Sequence, residues 1–383
     1  MMGDIGLNEN IEAGTREFHI QTSTLMDDGM VRTEIFEKGR LLFVENFHYE
    51  RRDHGQDAGA EQRLRQVVDQ FHQSIIEEID GLFEMSERVF EKESPTAHEK
   101  IGQVFLFTHI FDKAEKHFKR ALELDKNRHS CQVYLGRCYY LQKRYNQALE
   151  TLTTIIGQGV RYPDAFNLLG LIMMEKRNYR QALHHFREAL KHNPAYIEAY
   201  FNLSEAILQR IIFLKLEDKE QDLKKSLNFL KILLKKIDNY GNVEDREQSL
   251  VINRALNKMD LRKALGLMHK YREKKFIRYI PPEITGYKFY LRLMFGEDEM
   301  PSDVLKNFEE RLTLALQKNP SYPDLWQYLA LVHLMQCRHF FLKGLDDFRD
   351  ATRINPHFDR AAKNLRLVEN DGREFLSLIK AIV

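Results

Sequence analysis

Three glycines in this chain, Gly102, Gly136 and Gly170, stand 34 residues apart. The same step links Ala114, Ala148 and Ala182, then Phe118, Leu152 and Phe186, then Ala121, Ile155 and Ala189. Four positions agreeing in three registers are a fixed period, and a period of roughly 20–50 residues marks a stack of like structural units. Each unit is too short to bury a core alone and must pack on its neighbours. This feature constrains the fold more than any other in the sequence.

The stretch NYRQALHHFREALKHNPAYIEAYFNL, residues 178–203, shows what one unit needs. Each unit reads as two antiparallel helices. Gly170 and Ala182 sit where the pair approaches most closely, Phe186 fills the gap to the next unit, and Ala189 lets the following helix settle against it. Pro194 ends the second helix because the residue before a proline is driven out of the α region.

This pattern resembles the tetratricopeptide repeat family, whose unit has about 34 residues with small residues at fixed places. Unit 163–196 carries the resemblance through Phe166, Leu169, Gly170, Ala182, Phe186, Ala189, Leu190 and Pro194. Units 95–128 and 129–162 match at most of these positions without the proline. A fourth unit begins at Ile197, and its second helix is lengthened. The pattern resumes with Trp326, Leu329, Ala330, Gly344, Phe348, Ala351 and Pro356, and a weaker unit before it holds Gly296, Leu312, Ala315 and Pro320. The expected fold is mainly α, a tetratricopeptide-type solenoid of helix pairs with a small N-terminal antiparallel β-meander. Its divisions are repeats at 95–240, degenerate helical repeats at 241–288, and C-terminal repeats with a closing helix at 289–383.

The resemblance implies that the first helix of each unit lines a concave face. The residues it places there include Leu106, Phe107, Arg137, Tyr140, Asn167, Leu171, Met174, Phe201, Glu205 and Leu208. A clamp for a carboxylate tail, one use of this fold, requires basic residues where this chain has Glu99, Gln103, Tyr134, Asp164 and Leu168, and two acids there repel a carboxylate. An amphipathic helix or an extended peptide suits the apolar anchors better, with Arg137 and Glu205 setting its direction. These side chains either face a partner, pack between repeats, or lie under the chain's own long helix.

Ahead of the repeats, FHIQTSTLM, MVRTEIF and RLLFVENFHYE are rich in β-branched and aromatic residues. Asp27-Asp28-Gly29 and Glu37-Lys38-Gly39 separate them, so the sequence predicts a three-stranded antiparallel meander over 16–52, with 1–15 disordered or extended. Residues 51–62 read as a polar linker. From 60 to 92, Leu64, Val68, Phe71, Ile75, Ile79, Leu82 and Val89 recur at helical spacing. This long amphipathic helix either packs on the sheet and the array or pairs with a second copy, giving a homodimer through 16–92.

Composition excludes several function classes. Fifty-eight basic residues against 57 acidic ones leave a net charge of +1, which is no footprint for duplex nucleic acid. Three cysteines are too few for a disulfide framework, and Cys131 and Cys138 are expected as buried free thiols. No basic start followed by an apolar run opens the chain, and no window approaches the length of a membrane span. A cytoplasmic protein without membrane insertion is expected. No H-E-x-x-H, C-x-x-C, P-loop or G-x-S-x-G occurs, and His184-His185 diverge on a helix, so neither metal, cofactor nor catalysis is expected.

One segment stands apart. In residues 269–296, Lys270, Arg272, Lys274, Lys275 and Arg278 interleave with Tyr271, Phe276 and Tyr279. Basic and aromatic residues together suit single-stranded nucleic acid or an acidic partner, although Glu273 and Glu283 dilute the charge. The function expected is a non-catalytic scaffold or adaptor that holds a protein or peptide in the concave face. The alternative is a nucleic-acid-binding regulator using 269–296.

Overall fold

A computed structural model describes residues 5–25, 29–49, 60–214, 220–296 and 300–382. Four strands, β1 (Gly6–Ala13), β2 (Arg16–Leu25), β3 (Met30–Glu37) and β4 (Arg40–His48), form one antiparallel sheet in sequential order. The meander therefore has four strands where the sequence predicts three, and the extra one falls in the 1–15 segment. GLNENIEA shows little alternation because most of this edge strand is exposed, so it lacks the signal of a half-buried strand. The Asp27-Asp28 turn and most of the 51–62 linker lie outside the described residues. At the β3–β4 turn, Lys38 and Gly39 take positive φ (49° and 76°), as a tight hairpin requires. Phe18, Ile20, Val31 and Ile35 are buried, and the Thr22 and Thr33 hydroxyls bond across the sheet at 2.8 Å.

Helix α1 (Ala60–Glu91) follows, and the chain divides into two compact units. One comprises Met1–Asn10, Glu17–Asp69 and Lys92–Ile280; the other comprises Ile11–Arg16, Gln70–Glu91 and Pro281–Val383.

The first unit holds helix pairs α2 (Pro95–Phe107) with α3 (Phe111–Leu124), α4 (His129–Leu141) with α5 (Tyr145–Gly157), and α6 (Pro163–Glu175) with α7 (Tyr179–His192). Then come α8 (Ile197–Phe213), α9 (Glu220–Tyr240), α10 (Val243–Asn257) and α11 (Leu261–Arg272), which runs into a π-helical turn at Glu273–Ile277. The glycine period has a direct cause. A Cβ on Gly102, Gly136 or Gly170 would come within 2.7, 2.8 and 2.4 Å of Phe118, Leu152 and Phe186. Each large side chain lies on the glycine of its own unit. Phe118 also stacks on Tyr134 of the next unit, with ring centroids 6.0 Å apart.

A second 34-residue period lies in the turns. His109, Lys143 and Arg177 all take positive φ (62°, 61° and 57°). The following N–H groups of Ile110, Arg144 and Asn178 bond back to the carbonyls of Phe105, Tyr139 and Met173 at 2.8–2.9 Å. This is a Schellman ending, in which a left-handed residue lets the chain reverse and satisfies orphan carbonyls. The buried thiols Cys131 and Cys138 bridge neighbouring units by donating to the carbonyls of Phe118 and Phe111, each at 3.4 Å.

Inside the first repeat, the imidazoles of His98 and His117 are fully buried with their Nδ1 atoms 2.8 Å apart, and His117 stacks on Phe105. Burial, then Arg120, holds His98 down at about 4. Burial, then Arg40 and Arg137, does the same to His109. His117 is lowered further by burial and by His98. An unfolded histidine binds its proton near 6.5, so the unfolded chain holds more protons between that value and about 4. The stability contributed by keeping these rings neutral is complete above the upper value and lost as pH falls through the window. Urea midpoints are expected to drop steadily across it, and to drop less in His117→Phe, which keeps the stack. A flat profile would contradict the buried neutral pair.

The second unit contains α12 (Glu283–Phe295), α13 (Ser302–Lys318), α14 (Pro323–Ile354) and α15 (Asp359–Ile382), besides most of α1. Its core gathers Phe289, Leu305, Phe308, Leu312, Leu325 and Val332. Glu78 of α1 pairs with Lys288 of α12 and with Arg311 of α13 at 2.6 Å. Burial raises the Glu78 carboxyl, but the two cations outweigh it and hold it at about 2. The helix pair expected from Trp326 to Ala351 is instead one helix, α14. Residues 336–340, Gln-Cys-Arg-His-Phe, offer no cap or left-handed residue, so the helix continues past the place where the earlier repeats turn. Gly286, rather than Gly296, is the close-approach glycine, with a built Cβ 2.2 Å from Tyr328.

Candidate functional site

The first helices of the repeats are unusually apolar. Every residue from Ala165 to Met174 in α6 is buried, and so is every residue from Ala199 to Leu208 in α8. A repeat helix packed on its partner along one face leaves the opposite face to water. In α8 the opposite face is covered as well, and the cover is the chain's own segment 261–280.

The contacts are specific. The Phe201 ring of α8 lies 4.9 Å from Tyr271 and 6.0 Å from Phe276, which meet each other edge-on at 6.1 Å. Glu205, one turn further along α8, stands 3.2 Å from Arg272 Nε and 3.6 Å from His269 Nδ1. The bond to Glu205 raises the His269 imidazole, with burial opposing. From α4, Arg137 Nη2 donates to the Phe276 carbonyl at 2.7 Å, while its guanidinium lies 5.1 Å over the Phe107 ring. On its other side the segment is tied to α10. Tyr271 donates to Asp245 at 2.7 Å, and Lys274 and Lys275 reach Glu244 at 3.0 and 3.1 Å. We call the surface shared by Phe107, Arg137, Phe201 and Glu205 the inner face.

A family model described as anaphase-promoting complex, cyclosome, subunit 3 matches residues 108–201, the stretch that holds all three left-handed turns and two of the three periodic glycines. The helix pairs of this stretch have the tetratricopeptide-type fold. Among solved structures, the chain is similar to YrrB, a tetratricopeptide protein with an unusual peptide-binding site (16% identity, 55% of this chain and 93% of that one, TM-score 0.33). It is also similar to a tetratricopeptide protein of Thermus thermophilus (18%, 63% and 100%, TM-score 0.30) and to Pseudomonas aeruginosa pilF (14%, 62% and 98%, TM-score 0.36). None of these identities is high enough to carry a function across. No curated protein matches the chain.

The structure places the ten expected residues as follows. Arg137, Phe201 and Glu205 meet the resident segment directly, and Phe107 lies under the Arg137 guanidinium. Leu106, Leu171, Met174 and Leu208 are buried, and Tyr140 is buried with its hydroxyl raised by burial, Arg272 opposing. Asn167 serves the repeat stack itself: its Nδ2 donates to Glu198 at 3.1 Å and to Tyr196 at 3.3 Å, and its Oδ1 accepts from Asn202 at 2.9 Å. The Glu198 carboxyl is raised by burial and by Asp164, against Arg137.

Sequence reasoning missed that the basic-aromatic segment is the occupant of the inner face. Tyr271 and Phe276 are five residues apart, the step of a π-turn, and that spacing was the available signal. Within 269–296, Arg272, Lys274, Lys275 and Arg278 each pair with a carboxylate of this chain, and no finding supports the nucleic-acid reading. Among the described residues, no three metal-ligating side chains come together, and no helix is long and apolar enough to cross a membrane.

Proposed function

We propose that this chain is a non-catalytic interaction scaffold of the cytoplasm, and that the inner face of its repeats holds a helical segment of a partner protein. One observation carries the reading. That face already holds a helix in cis, through a ring cluster on Phe201, a charge pair at Glu205 and a carbonyl bond from Arg137. Such a combination of aromatic anchors and orienting charges is how helix-in-groove recognition works. The free thiols Cys131, Cys138 and Cys337 suit a reducing compartment.

Photo-crosslinking from single sites tests the reading. A photoreactive side chain at Leu141, one turn from Arg137 on α4, is expected to yield partner adducts after capture from lysate. The same group at the exposed Thr153 of α5 is expected to yield none. Adducts from Thr153 alone would place binding on the outer helices and overturn the proposal.

A further inference from the structure

The resident segment is not held evenly along its length. Met268, Tyr271 and Arg272 are buried, whereas every residue from Glu273 to Ile280 is partly or fully exposed. This last part is wound as a π-turn, closed by the Arg278 N–H on the Glu273 carbonyl at 3.0 Å. Single π-turns are a rare and weaker geometry that recurs at functional sites. Segments with few buried contacts and exposed hydrogen bonds open first.

The way the inner face grips this turn defines a ligand chemistry. The Phe276 carbonyl belongs to the last turn of the helix, where carbonyls lack intrahelical partners. Arg137 supplies the missing donor and sets a positive charge against the negative end of the helix dipole. The Ile277 backbone bonds the His109 side chain in the same way. Beside Arg137 lie the carboxylates Asp164 and Glu198, whereas Lys274 and Lys275 of the turn are tied away to Glu244. The face thus offers one aromatic seat, one carbonyl donor and two acids.

We propose that residues 273–280 are an exchangeable occupant of the Phe107–Arg137–Phe201 site. The segment that replaces them is the C-terminal end of an amphipathic helix of a partner protein, with an aromatic side chain in its last turn and a lysine or arginine beside it. The aromatic takes the place of Phe276 on Phe201, the free carbonyls accept from Arg137, and the cation meets Asp164 and Glu198. This rests on the inner face being the binding face, and adds what it binds and what must leave first.

The test uses the full chain and a fluorescent peptide of the sequence 261–280. Phe276→Ala removes the turn's own anchor, so the variant is expected to bind the peptide roughly tenfold more tightly than wild type, because competition in cis is weakened. Adding Arg137→Glu to that variant, or replacing the phenylalanine of the peptide by alanine, is expected to abolish the gain. Equal affinity for wild type and Phe276→Ala would overturn the proposal. So would a Phe276→Ala dimer that the peptide dissociates, since a second copy would then be the occupant.

Hydrogen exchange on the wild-type chain needs no variant. Amides of 274–280 are expected to exchange roughly tenfold or more faster than those of α4 and α8, and equal protection would contradict an exchangeable turn. If the peptide fails while partner adducts still form from Leu141, exchange is wrong and the scaffold reading stands. If both fail, both readings fall.

Discussion

Glu205→Gln is expected to lower the stability of the repeat unit by about 3–5 kcal/mol, the range seen when one partner of a buried ion pair is removed. Glu205 and Arg272 are only 1% and 6% exposed, so the variant strands a guanidinium that has no route to water. The pair itself need not be a net source of stability, because two desolvated charges recover little more than their own hydration. The sharper expectation concerns the double variant Glu205→Leu, Arg272→Met, which should recover most of the loss by replacing the pair with apolar side chains of similar bulk. Urea denaturation of the three chains measures both effects. A loss below about 1 kcal/mol in Glu205→Gln would mean that the segment leaves α8 readily and lets Arg272 reach solvent.

Phe186→Ala should be as damaging, at about 3–5 kcal/mol, because it deletes a fully buried ring and leaves a cavity over Gly170. The reverse error is costly too. Gly170→Ala would press a methyl to within 2.4 Å of that ring, and overpacking of this kind costs about 1–3 kcal/mol. The second repeat already shows the tolerated alternative, since Leu152 covers Gly136 in the same geometry. Phe186→Leu should therefore lose much less than Phe186→Ala. Thermal melts of the three variants check the order, and equal losses for Leu and Ala would contradict the ring-on-glycine account.

The repeat core was legible in the sequence because its determinants are local and periodic. Gly102, Gly136 and Gly170 each answer to a large side chain 16 residues on, within the reach of one helical hairpin. The left-handed turns at His109, Lys143 and Arg177 repeat at the same interval but use no glycine, so residue type does not announce them. Strand β1 was hidden for a related reason, since an exposed edge strand needs no apolar alternation. At α14 the apolar pattern persisted while the turn chemistry was missing, and the absent turn decided the outcome.

The site was only half legible. Repeat register picked out Arg137, Phe201 and Glu205, and composition picked out 269–296, but nothing in either pattern joined them. Arg272 lies 67 residues beyond Glu205, and a pairing at that distance depends on how α9, α10 and α11 fold back. No local propensity encodes it. The basic character of 269–296 pointed outward to nucleic acid, although Arg272, Lys274 and Lys275 pair with Glu205 and Glu244 of the same chain.

The inner face of the repeats holds the chain's own segment through the contact of Phe201 with Phe276. A double-mutant cycle between Phe201→Ala and Phe276→Ala tests it most directly. With the rings 6.0 Å apart, the two losses in stability should fall short of additivity by about 1 kcal/mol, the worth of an aromatic pair. Strict additivity would mean that the segment does not rest on this face.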